Sequence, residues 1–128
     1  MSNKQIGTNF ERYMCDILTR RGWWVHFLSP DARGAQPFDI IAIRDGQAIA
    51  IDCKTCKDPV FRISRLEDNQ VLAFDLWQQR GKALAWVAIL HDDKVYMIRY
   101  DEIKKEGKVD LRKKEAFING DVLCQGKR

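Results

Sequence analysis

No apolar run in the 128-residue sequence approaches the roughly 20 residues of a membrane-spanning helix, so no membrane span is expected. The opening MSNKQIGTNFERY has no apolar h-region, which argues against a signal peptide. Repeats, low-complexity tracts and linkers are missing too, so nothing suggests a solenoid or a modular array. Nor is there a large charge of one sign: 22 Lys and Arg against 18 Asp and Glu give +4, with a pI near 8.9. That mild excess permits a polyanionic partner without demanding one. Cysteine is sparse. Cys15, Cys53, Cys56 and Cys124, in a chain with no export signal, read as reduced thiols and point to the cytoplasm. A redox reading of the Cys53/Cys56 pair wants it at a helix N-terminus, whereas Cys53 lies in a strand-like run. A zinc reading needs four ligands, and Cys15, Cys124, His26 and His91 stand at scattered spacings. Ordinary buried thiols are the favoured reading.

What is present suits one folded domain. The chain is 45% hydrophobic and 31% charged, neither disordered nor membrane-embedded in composition, and its length fits a single core. One domain over residues 1–128 is expected, with its core in about 6–100 and a charged extension over 101–128.

Along the chain, Ile6, Phe10, Tyr13, Met14, Ile17 and Leu18 have helical spacing, with Gly22 as a stop. Trp23–Leu28 is aromatic and β-branched, a strand candidate, and SPDARGAQ over 29–36 is turn chemistry. Phe38–Arg44 and Gln47–Lys54 read as two strands joined by Asp45-Gly46, the strongest short hairpin signal. Leu66–Arg80 reads as a helix with Gln70, Phe74 and Trp77 on one face and Gly81 as its stop. Ala85–Leu90 and Val95–Tyr100 are two further strands. The basic stretches Lys104–Lys108 and Arg112–Lys114 are interleaved with acids and read as a solvated tail with at most a short helix. The order αβββαββ implies a mixed α/β domain around one sheet.

The hairpin gathers chemistry. A two-residue loop fixes the register: Arg44 opposes Gln47, Ile43 meets Ala48, Ile41 meets Ala50 and Asp39 meets Asp52. Opposed Cβ atoms sit about 4.5–5.5 Å apart, and Lys54 lies two residues beyond Asp52 on the same face. That face carries Asp39, Ile41, Ile43, Ala48, Ala50, Asp52 and Lys54. The other carries Phe38, Ile40, Ala42, Ile49, Ile51 and Cys53. Both are largely apolar, as in a strand covered on both sides. Two opposed carboxylates repel there, and burial adds desolvation. Lys54 neutralises one; a divalent cation neutralises both, and hard oxygen donors suit Mg²⁺ or Mn²⁺. A structural Asp/Lys network is the plainer alternative, but buried like-charge pairs with a lysine cluster at functional sites, and strand ends of α/β sheets bind ligands. Glu11 has two readings: Thr8-Asn9-Phe10-Glu11 fits a capping box, and the same carboxylate suits a place near the metal. Gln70 either faces solvent or is buried and hydrogen-bonded at the site. The aromatic surplus of Trp23, Trp24, Trp77 and Trp86 reads first as core, with an interface as the other reading.

Pro37-Phe38-Asp39, twelve residues, then Asp52-Cys53-Lys54 resembles the PD-(D/E)XK nuclease superfamily. The helix with Gly7 and Glu11 resembles the first helix of its Holliday junction resolvases. IDCKTCKDPVFRISRLEDNQ looks like the bacterial RecU-type resolvases, while the compact hairpin looks like the archaeal Hjc-type ones. The resemblance implies a restriction-endonuclease-like fold and a Mg²⁺- or Mn²⁺-dependent endonuclease cutting four-way DNA junctions. It implies that Asp39 and Asp52 ligate the metal with the Cys53 backbone carbonyl, that Glu11 assists the metal, directly or through water, that Lys54 orients or deprotonates the attacking water and stabilises charge on the phosphorus, and that Gln70 sits beside the site. The sequence departs from the pattern at Asp52, where resolvases usually carry Glu, and at Phe38, inserted between Pro37 and Asp39. The Asp45-Gly46 turn leaves no room for the stalk-like insertion of RecU-type enzymes. Arg12, Arg33, Lys57, Arg62 and Arg65 are candidate phosphate contacts, each otherwise a solvated charge. A homodimer suits the paired cuts of a junction. The alternatives are a restriction-like, repair or flap nuclease of the same fold, a non-catalytic DNA-binding module, and a thiol redox domain on Cys53-Lys54-Thr55-Cys56.

Overall fold

A computed structural model describes residues 2–28 and 36–119. Helix α1 runs Asn3–Arg20, capped by Ser2, whose side chain accepts from Gln5 N while Gln5 reaches back to the Ser2 backbone. Glu11 therefore lies mid-helix, and the capping-box reading of Thr8–Glu11 is corrected. Strand β1 is Trp24–Phe27, β2 Ile40–Arg44 and β3 Gln47–Thr55. β4 is Val60–Arg62, followed by a 3-10 turn at Ile63–Arg65 and helix α2 at Asp68–Gly81. β5 (Leu84–His91) and β6 (Lys94–Arg99) form a second hairpin, helix α3 spans Tyr100–Glu106, and β7 (Lys108–Asp110) and β8 (Ile118–Asn119) complete the chain.

Six strands form one mixed sheet in the order β1-β2-β3-β5-β6-β8, with β3 and β5 parallel and the other pairs antiparallel. β4 and β7 form a separate antiparallel pair. The β2–β3 register is the one the turn dictates, Arg44↔Gln47 through Ile40↔Ile51. Asp45 (φ 51°) and Gly46 (φ 79°) both take positive φ, as a primed two-residue turn requires. Asp92 and Asp93 turn β5 into β6 in the same way, at φ 50° and 57°. α2 ends one residue beyond expectation: Gly81 stays helical, and Lys82 takes the left-handed cap.

The sheet is buried on both faces. Ile40, Ala42, Ile49 and Ile51 pack with Phe10, Tyr13, Met14 and Leu18 of α1, while Ala50, Val87 and Ile89 pack with Phe74 of α2 and Tyr100 and Ile103 of α3. Phe38 departs from its expected face. It precedes β2 and stacks on Phe74 at 5.6 Å, on the α2 side. Trp24 is not core: it is 59% exposed on the edge strand.

The segment after Asp101, expected as a solvated extension, is also corrected. Arg112 pairs locally with Asp110, Lys104 reaches across to Asp75 of α2, and Ile103, Val109 and Leu111 are buried in the α2-side core. The lone sheet-like signal of Lys108–Asp110 was masked by its flanking lysines and acids. Ile103→Val is expected to cost about 0.5–1.5 kcal/mol in chemical denaturation, against under about 0.5 for Lys105→Ala on the exposed side of the same helix. Equal, negligible effects would restore the solvated reading.

Candidate active site

β3 outlasts its neighbour. β2 begins only at Ile40, so beyond Ile51 the β2-side edge of β3 has no strand beside it. Asp39 turns into that gap. Its N–H still donates to Ile51 O at 3.1 Å, its carboxylate Oδ2 accepts from Cys53 N–H at 2.7 Å, and Oδ1 accepts from the Gln36 side-chain amide. A carboxylate thus takes the acceptor position that a β2 carbonyl would have held. Alternate residues of an antiparallel strand direct both backbone groups to one neighbour. Ile51 O faces β2, so the Cys53 carbonyl lies on the same open edge as the Asp39 carboxylate.

Asp52 enters from β3, with Lys54 two residues on. Asp39 and Asp52 are 4% and 1% exposed. Gln70 Nε2 donates to Asp52 Oδ1 at 2.9 Å, and Gln70 Oε1 accepts the Glu67 N–H at 3.1 Å. One amide therefore caps α2 and fixes Asp52; the buried reading of Gln70 is the observed one. Lys54 Nζ stands 3.3 Å from Asp52 Oδ2, at ion-pair distance but without hydrogen-bond direction. Oδ2 is left as a buried oxygen with no hydrogen bond.

Burial raises the Asp52 pKa well above the carboxylate range, the Asp39 charge adds to that rise, and Lys54 pulls the other way. The same field reaches α1: Glu11, half-buried, is pushed up to about 7 by desolvation first and by Asp39 second, with Lys54 opposing. Asp39, Asp52, Lys54, Glu11 and Gln70 are thus brought together. Gln36 is the member the sequence did not reveal; an amide at the end of a turn carries no signal of its target.

The Cys53 thiol packs toward α1 and Cys56 toward α2, on opposite sides of the sheet. The pair cannot meet, and burial drives the Cys53 pKa far up, so the redox reading fails. Among the candidate DNA contacts, Lys57, Arg62 and Arg65 line one cleft, Arg12 is exposed on α1, and Arg33 lies outside the described residues.

Among the described residues no three His, Cys, Asp or Glu side chains form a metal-sized group. The donor set is two carboxylates and a carbonyl, which fits Mg²⁺, a cation that keeps several waters and takes one or two protein carboxylates. The buried Asp52 Oδ2, without a hydrogen bond beside a second buried carboxylate, is a polar atom of the kind such a cation would satisfy.

No protein of curated function matches the chain. The solved structure of Archaeoglobus fulgidus Hjc, a Holliday junction resolvase from an archaeal hyperthermophile, is similar over 91% of this chain and 98% of that one, with a TM-score of 0.65 at 20% identity, a likeness of fold. A family model described as archaeal Holliday junction resolvase (Hjc) matches residues 2–122. Nearly the whole chain is covered by that match, and the protein belongs to the archaeal Holliday junction resolvase family.

Proposed function

We propose that this junction-resolving nuclease hydrolyses DNA phosphodiester bonds in a Mg²⁺- or Mn²⁺-dependent reaction centred on Asp39, Asp52 and Lys54. The observation that carries it is the burial of two carboxylates against one lysine, with an Asp52 oxygen left unbonded. Asp39, Asp52 and the Cys53 carbonyl would hold the cation with Glu11 assisting, and it would supply Lewis-acid charge stabilisation when bound. Lys54 positions the attacking water and sets a positive charge where negative charge grows at phosphorus. A lysine acts as a base only when its pKa falls, and the neighbouring carboxylates oppose that fall. Gln70 holds Asp52 in its rotamer, and the Gln36 amide and Cys53 N–H do the same for Asp39.

DNA is gripped through phosphates by the exposed cations Arg12, Arg33, Lys57, Arg62 and Arg65, with affinity that falls as salt rises. We place the enzyme in the cytoplasm and as a homodimer whose two sites cut paired strands. Trp24 and Ile43, cross-strand partners, and Leu72 and Leu76, one turn apart on α2, leave exposed apolar area available for a second copy.

The test is incubation with end-labelled four-way, flapped and linear DNA, with Mg²⁺ and with EDTA. Cleavage of the four-way substrate ahead of the others, and only with the cation, is expected. Preferred cutting of flaps or linear duplex would replace the junction by another substrate, and no cutting of any would overturn the catalytic reading.

A further inference from the structure

One residue past Lys54 the chain leaves the sheet and borders an open cleft of about 550 Å³, lined by Thr55, Lys57, Asp58, Arg62, Ser64 and Arg65 among others. Several cations elsewhere on the surface, Arg44, Arg99, Lys104, Arg112 and Lys114, stand in ion pairs. Lys57 and Arg62 are exposed, and their side chains make no hydrogen bond or ion pair among the described residues. Arg65 is held in place: its Nη2 donates to Thr55 O at 2.8 Å and its guanidinium lies over the buried Phe61 ring, 5.6 Å from the centroid. The one acid there, Asp58, spends Oδ1 on Val60 N–H at 2.8 Å. β4 and its pairing with β7 fix the segment, so three cationic side chains are kept together by the fold against the single carboxylate of Asp58.

We infer that this cleft is a second phosphate subsite, in which Lys57, Arg62 and Arg65 hold a non-scissile phosphodiester of the strand being cut. The inference rests on the nuclease reading above and adds where the strand runs. Lys57 lies five residues beyond Asp52, a span of at most about 18 Å. One DNA strand carries a phosphate per roughly 3.4 Å of helix axis, which puts the subsite within about five nucleotides of the cut. A pre-anchored guanidinium offers a fork of donors at low entropic cost, and the two uncommitted cations supply counter-charge. The hydroxyls of Thr55 and Ser64 add neutral donors to the same wall.

The test is a salt titration of binding to a fluorescent four-way junction in Ca²⁺ with the Lys57→Ala/Arg62→Ala double variant, Lys57→Gln/Arg62→Gln as a second form, and Lys105→Ala as an outlying control. The double variants are expected to lower the slope of log K against log salt by about 2, one per phosphate contact, equally for junctions of unrelated sequence. Lys105→Ala leaves it unchanged. Single methylphosphonates within about five nucleotides of the cut are expected to weaken the wild type and to have little further effect on the double variant. An unchanged slope in a folded variant, while the wild type still cuts, overturns the subsite alone. A wild type that neither binds nor cuts DNA overturns the nuclease reading and the subsite with it.

Discussion

Asp52→Asn is expected to end Mg²⁺-dependent cleavage and yet raise the unfolding temperature of the metal-free protein by several degrees at pH 8. Asp52 is 1% exposed and faces a second buried carboxylate. Removing its charge while keeping its shape relieves both desolvation and repulsion, and the Asn carbonyl still accepts from Gln70. The pH dependence follows from the direction of the shifts. Asp52 and Glu11 have folded-state pKa values raised above those of the unfolded chain, Glu11 to about 7. The native state therefore binds more protons than the unfolded one from about pH 4 upward, and stability falls as pH rises through that window. The variant loses the Asp52 share of this fall. Added Mg²⁺ is expected to restore stability to the wild type at pH 8, since it binds only the folded form, and to leave Asp52→Asn unmoved. Calorimetry with and without EDTA, beside a junction-cleavage gel, reads all three effects. Asp39→Ala is expected to lose cleavage likewise while still binding DNA. Retained cleavage in either variant removes the proposed centre.

Lys54→Ala is the second large effect: a fall in cleavage of about 10²–10³-fold at neutral pH, the usual size for deleting one preorganised positive or hydrogen-bonding group at a transition state. Part of that loss is indirect. Lys54 Nζ lies 3.3 Å from Asp52 Oδ2 and lowers the Asp52 pKa. Without it the carboxyl keeps its proton to higher pH, and the ionised form that takes up a cation becomes scarcer. The rising limb of the pH–rate profile is therefore expected to move to higher pH in Lys54→Ala. A fall in rate with an unmoved limb would make Lys54 a transition-state contact only; an unchanged rate would remove it from the mechanism.

The central hairpin was legible because its signals agree. Asp45-Gly46 sets the turn, the turn sets the register, and the register runs out to Ile40↔Ile51, the pair just short of Asp39 and Asp52. The archaeal-type compact hairpin was the correct pointer within the resolvase resemblance. The reading went astray where tertiary context decides. Phe38 was assigned by alternation, but alternation ends where the chain bends ahead of Ile40. The Ser2/Gln5 cap competes with Thr8/Glu11 on equal sequence terms, and only the packing of Ile6 toward α1's apolar side starts the helix earlier. β4, β7 and β8 are three residues or fewer, too short for a period of two to show against lysine-rich flanks. The closeness of Asp39, Asp52 and Lys54 followed from strand arithmetic, while Gln36 and the second duty of Gln70 depend on side-chain direction that spacing does not encode.

The pairing of β4 with β7 joins residues 60–62 to residues 108–110. During synthesis the basic segment leaves the ribosome well before its partner strand, and the floor beneath it, Ile103, Val109 and Leu111, arrives with that same later stretch. A nascent chain carrying Asp39, Asp52 and Lys54 is thus still without the buttress for its Lys57–Arg65 arm.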